Sequence, residues 1–183
     1  RASPRERPPP RSLPGVRPAF PGLRRRLGLE SPQAWAWALY DWANSAFALA
    51  VLTAFVPVML AGEWNDGAPS TVTTFRLGLA NGLASLVVVL LAPLLGAMTD
   101  QARRRKPWLA LFTLVGVIAT LLLAAIGPGG WQLAMACFVT ASVGFFAANS
   151  LYDAMLIDVA EPADFDRVSA FGYGLGYLGG ALL

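Results

Sequence analysis

The sequence contains no histidine and a single cysteine, Cys137, in 183 residues. Without imidazole there is no Ser-His or Cys-His nucleophile pair and no histidine proton relay or metal site. A lone thiol excludes an internal disulfide framework. No enzyme, metal centre or cofactor site is expected. Charge is scarce as well. Only 14% of residues are Asp, Glu, Lys or Arg, against about 25% in an ordinary soluble domain. A chain that is 56% hydrophobic cannot coat a soluble surface with so few charges.

The charges that exist are unevenly placed. Residues 1–30 hold eight Arg and two Glu, whereas residues 31–183 hold six basic and nine acidic groups. A basic tail is therefore attached to a slightly acidic, apolar body. The tail has seven Pro before residue 23 and little aliphatic clustering, so it is expected to be disordered. No aromatics interleave its arginines before Phe20, and the body has no basic face, so a nucleic-acid partner is not expected.

A bilayer-crossing helix needs about 20 mostly apolar residues. Four such stretches occur, at about 33–61, 74–98, 108–126 and 131–152, and a fifth begins near 168 and runs to 183. Ser31 and Pro32 suit the N-cap and first position of the first helix. Residues 108–152 carry no charge and are broken only by Gly127-Pro128-Gly129-Gly130. A soluble bundle would show polar stripes at a 3.6-residue period, and the third and fourth stretches show none. An all-α integral membrane fold is the expectation, its lipid partner the bilayer. Arg103, Arg104, Arg105 and Lys106 and the Arg-rich tail place the N-terminus and the 99–107 connection in the cytoplasm. Trp35, Trp37, Trp64, Trp108 and Trp131 fall near expected interfaces, where indoles prefer to sit. The chain has no initiating Met and ends in an apolar run, so a longer parent protein is expected.

Asp41 sits inside the first span, roughly 12 Å along the helix axis at the standard rise. Tyr40 precedes it, and Asn44 and Ser45 at i+3 and i+4 are read as lying on its face, a polar stripe on an otherwise apolar helix. Two readings stand here. An ionisable group in an apolar helix can serve a substrate or a coupling proton, or it can be a buried group that bonds a neighbouring helix. Pro57 and Pro93 can kink the first two spans. Arg76 is read as snorkelling to the interface rather than binding substrate. Asn149 and Asp153, i,i+4 neighbours beside Tyr152, are either a cytoplasmic gate or interface polarity. Gly172, Gly176 and Gly180 form a small-residue face for close helix packing.

Gly96-x-x-x-Asp100 followed by Arg104-Arg105 resembles the loop 2–3 signature of the major facilitator superfamily. Gln101 and Arg103 depart from that pattern. The resemblance implies that Gly96 permits close helix packing. It also implies that Asp100, Arg104 and Arg105 form a conformational latch between the two halves of a carrier. Residues 38–47 (ALYDWANSAF), 103–108 (RRRKPW) and 167–180 are similar to the branch of autophagy-related vacuolar effluxers and their bacterial relatives. This implies a twelve-helix secondary transporter, of which the chain supplies the tail, four complete helices and a truncated fifth. Five helices are not expected to transport alone. Fungal members are associated with amino-acid export from the vacuole. The composition and short loops lean toward a bacterial plasma membrane instead. Asp41, Asn44 and Tyr40 are the expected substrate or coupling residues, with a proton or sodium as coupling ion. The alternatives are a cation-coupled sugar symporter of the same fold and a non-transporting membrane scaffold protein.

Overall fold

The computed structural model describes residues 31–99 and 105–182. The basic tail, Asp100 and Arg104 lie outside them. The first helix, α1, runs Pro32–Trp64. Ser31 caps it by accepting a hydrogen bond from the Ala34 N–H at 3.0 Å, with Pro32 at the start. The Ser31 hydroxyl also donates to the Val159 carbonyl at 3.3 Å. The rod is not uniform. Residues Phe47–Phe55 and Leu60–Trp64 take the wider π-helical pitch, separated by a regular turn at Val56–Met59. Pro57 has no N–H to give the Thr53 carbonyl four residues back. The Thr53 hydroxyl in turn bonds the Leu49 carbonyl at 2.5 Å. Such pitch changes mark local strain or function, and no residue of Phe47–Phe55 is buried.

Helix α2 spans Ser70–Thr99 with Pro93 inside it. Helix α3 spans Arg105–Leu123 and α4 spans Trp131–Ala154. A short turn of helix, α5 (Leu156–Val159), leads through a 3-10 turn at Pro162–Asp164 into α6, Phe165–Ala181. Four of these helices are long and apolar enough to cross a membrane: Pro32–Trp64, Ser70–Ala97, Arg105–Leu123 and Trp131–Ala154. Each begins within about four residues of the sequence expectation, and α1 continues three residues past it to Trp64.

Packing is closest between α3 and α4, between α1 and α6, and then between α2 and α4. Glycine sets the first two contacts. A Cβ on Gly144 would lie 2.8 Å from the Phe112 carbonyl and from the Gly116 nitrogen, so α3 and α4 touch backbone to backbone. On α6, Gly172 receives the Trp37 ring, Gly176 receives Asp41 and Ser45, and Gly179 receives the Trp42 carbonyl. Outside, α2 presents Phe75, Leu79, Leu83, Leu86 and Leu90 as exposed side chains. An apolar exterior is what lipid solvates and water does not.

Candidate functional site

The helix contacts divide the polar stripe of α1 between two faces. Asp41 is buried and, with Ser45, turns toward α6, where both abut Gly176. They line a pocket of about 520 Å³ with Leu49, Tyr173 and Tyr177. Tyr40 and Asn44 turn the other way. The Tyr40 hydroxyl pairs with the Thr113 hydroxyl of α3 at 3.0 Å. Asn44 donates to the Asn149 side-chain oxygen of α4 at 2.5 Å. These two residues line a second, largely apolar pocket of about 490 Å³ with Phe47, Thr113, Thr120 and Phe145. The spacing explains the split: i+3 and i+4 positions lie about 100° apart around a helix of 3.6 residues per turn. One face of neighbours therefore cannot serve both.

Tyr152 holds the centre. Its ring is stacked between Trp37, at 4.4 Å, and Tyr40, at 5.0 Å. The Trp37 indole donates to the Tyr152 carbonyl at 3.0 Å. The Tyr152 hydroxyl is enclosed and has no hydrogen-bond partner among the described residues. It lies within electrostatic reach of Asp41, Asp153 and Tyr173. The Asp41 carboxylate makes no hydrogen bond or ion pair among the described residues. Asp153 is exposed on α4 and within electrostatic reach of Asp41.

Arg105 is buried and ties the start of α3 to the chain beyond α4. It donates to the Ala154 carbonyl at 3.0 Å and pairs with the Asp158 carboxylate at 2.6 Å. Gly96 is exposed, and a Cβ there would meet no described atom within 4 Å. The close packing expected of it involves no helix described here.

At the opposite end of the bundle, Arg76 has protein partners at the helix ends. Its guanidinium bonds the Asn65 side-chain oxygen and lies 3.7 Å over the Trp131 ring. Trp37 and Trp64 are buried within the bundle. Trp37 stacks on Tyr152 of α4, and Trp64 meets the edge of Phe55 on its own helix.

Sequence reasoning did not select Tyr173, Tyr177 or Thr113. A signal for the first two was present: each follows a glycine of the α6 stripe by one residue. A face that packs closely on α1 therefore carries aromatics along its edge. Thr113 sits in an uncharged run with no local mark.

The sequence matches the profile of the Major Facilitator Superfamily over residues 1–183. It is 34% identical over 148 residues to an uncharacterized MFS-type transporter of Bacillus subtilis, YxiO, covering 80% of this chain and 35% of that protein. The chain thus spans about a third of the length of that curated relative. No solved structure matches.

Proposed function

The chain belongs to the major facilitator superfamily of membrane transporters, and we propose that it forms the first helices of a secondary active transporter. In this reading the carrier moves a small solute across a bacterial plasma membrane by alternating access, with the N-terminus in the cytoplasm. Amino acids are one candidate solute class, and a proton or sodium is the candidate coupling ion. The observation that carries the reading is Asp41, a buried carboxylate on an apolar helix with no protein partner among the described residues. Charge at such depth is costly and is retained where it meets something that comes and goes. Pockets on both faces of α1 support it, as does the nine-residue wide turn between Phe47 and Phe55.

The Arg105–Asp158 ion pair supports a latch role for the connection containing Gly96, Asp100, Arg104 and Arg105, since it links that connection to the α4–α6 segment. The Asn44–Asn149 hydrogen bond, one turn from Asp153, supports a gate where α1 meets α4. Counterflow in proteoliposomes containing full-length protein tests the central claim. Asp41→Asn is expected to lower coupled transport by at least about tenfold, the scale of one lost charge-assisted interaction. Unchanged transport by a correctly folded variant would overturn the role given to Asp41.

A further inference from the structure

We propose that the pocket between α1 and α6 binds an organic ammonium ion that bears no acidic group of its own. Reading that ion as the transported solute rests on the carrier reading above; the binding itself does not.

The chemistry of the walls points one way. Asp41 and Ser45 supply oxygen acceptors, and Tyr173 and Tyr177 supply two aromatic faces. Among the described residues no lysine or arginine lines the pocket. A carboxylate with no protein cation beside it is an unbalanced charge, and a second carboxylate, Asp153, lies within electrostatic reach. Tyr152, outside the pocket lining but near its carboxylate, is a second unsatisfied group. It is 2% exposed, its hydroxyl has no hydrogen-bond partner among the described residues, and it lies within electrostatic reach of Asp41, Asp153 and Tyr173. Buried hydroxyls are ordinarily paired.

A cation suits this set on two counts. An ammonium N–H donates to carboxylate oxygens with charge assistance. Tyrosine faces attract cations through their ring quadrupole. A bare metal ion does not suit it. No group of three or more His, Cys, Asp or Glu side chains placed to hold a metal occurs among the described residues, and α6 backbone carbonyls are spent within its helix. A free amino acid suits it poorly, because its carboxylate would meet Asp41 with no cation on the pocket wall to receive it. The volume of about 520 Å³ lies in the usual range for small organic ligands. The apolar Ala48 and Leu49 walls favour a ligand with a hydrocarbon body.

The test uses three probes with one hydrocarbon skeleton: 2-phenylethylammonium, phenylalanine and 3-phenylpropanoate. Each is titrated calorimetrically into full-length protein in nanodiscs. The cation is expected to bind at least about tenfold tighter than the zwitterion or the anion, as a single charge-assisted contact allows. Asp41→Asn is expected to remove that preference. Tyr173→Leu alters an exposed ring, so folding is spared, and about a threefold loss confined to the cation is expected from an exposed cation–π contact. The proposal falls if the cation binds wild type no tighter than phenylalanine does. It also falls if Tyr173→Leu and any folded Asp41→Asn protein bind the cation like wild type. Counterflow in the same preparation separates the two readings. Cation binding without exchange of any probe removes the carrier reading and leaves this site. Phenylalanine exchange without cation binding removes this site and leaves the carrier.

Discussion

Asn65, at the end of α1, and Asp41, one-third of the way along it, are both buried polar side chains, and their surroundings differ in one respect. The Asn65 amide donates to the Ala68 carbonyl at 3.1 Å and to the Thr73 hydroxyl, and its oxygen accepts from Arg76. Around it the Trp64 indole donates to the Ile126 carbonyl at 3.2 Å, and the Gly129 N–H donates to the Glu63 carbonyl at 2.9 Å. Gly129 and Gly67 make this cap possible by taking positive φ, which side chains with a Cβ rarely tolerate. Two helix connections are thereby sewn together with every named polar group satisfied. At Asp41 the carboxylate and the nearby Tyr152 hydroxyl have no such partners among the described residues. Burial is common to both regions, so burial does not separate architecture from function here. Pairing does in the carrier reading: the bonded Asn65 holds the fold, and the unpaired Asp41 is open to a ligand.

The contrast is most exposed to failure in stability. Trp64 is fully buried against Val56, Leu60 and Phe138. Trp64→Ala is expected to cost about 3–5 kcal/mol, as large-to-small core substitutions do. Asp41→Asn is expected to change stability by less than about 1 kcal/mol, because no protein contact of the charge is lost and burying a neutral amide is cheaper. Reversible unfolding of the full-length protein in mixed detergent measures both. A strongly destabilised Asp41→Asn protein would make Asp41 a structural residue and erase the distinction.

A second comparison concerns the α6 glycines. A Cβ on Gly179 would run into the Trp42 carbonyl, whereas one on Gly174 would meet nothing within 4 Å. Gly179→Ala is expected to destabilise by about 1–3 kcal/mol through overpacking. Gly174→Ala is expected to stay within about 0.5 kcal/mol of wild type, as surface changes do. Equal effects at the two positions would mean that α1 and α6 do not pack as described.

Much of this was legible in the sequence. Uninterrupted apolar runs announce membrane helices, and Ser31-Pro32 announces the start of α1. The charge of Asp41 in such a run announces itself by cost. The pairing of neighbours was not legible. Asn44 and Asp41 read as one stripe because a helix viewed alone has no neighbours to divide it. The partners of Arg76 were not legible because Asn65 and Trp131 lie on other segments, and their approach depends on turn geometry at Asp66, Gly67 and Gly129. The wide pitch of Phe47–Phe55 left no compositional trace beyond Pro57. Contacts between helices are long-range facts, and a periodic pattern encodes only which face will be buried.

The α3–α5 tie offers a smaller effect. Asp158→Asn leaves Arg105 its bond to the Ala154 carbonyl, so a loss of about 1–2 kcal/mol is expected, the range for a hydrogen bond to a charged group at a half-exposed partner. If this connection is a latch, the same variant also changes the rate of alternation, read as counterflow, by more than its stability loss accounts for.

The smallest effect tests whether Asn44 and Asn149 belong with the cap or with the Asp41 pocket. Their 2.5 Å hydrogen bond joins α1 to α4, and both side chains are half-buried. Interhelical hydrogen bonds in membranes average about 0.6 kcal/mol by double-mutant cycle, because the separated helices find other partners. Asn44→Ala, Asn149→Ala and the double variant are therefore expected to show a coupling of that size in unfolding. A purely structural pair places the coupling in stability and leaves counterflow rates additive. A gate does the reverse, because a bond that must break in each cycle couples the two residues in the rate of opening. Non-additive counterflow with additive unfolding would move this pair out of the satisfied architecture and into the moving part of the protein.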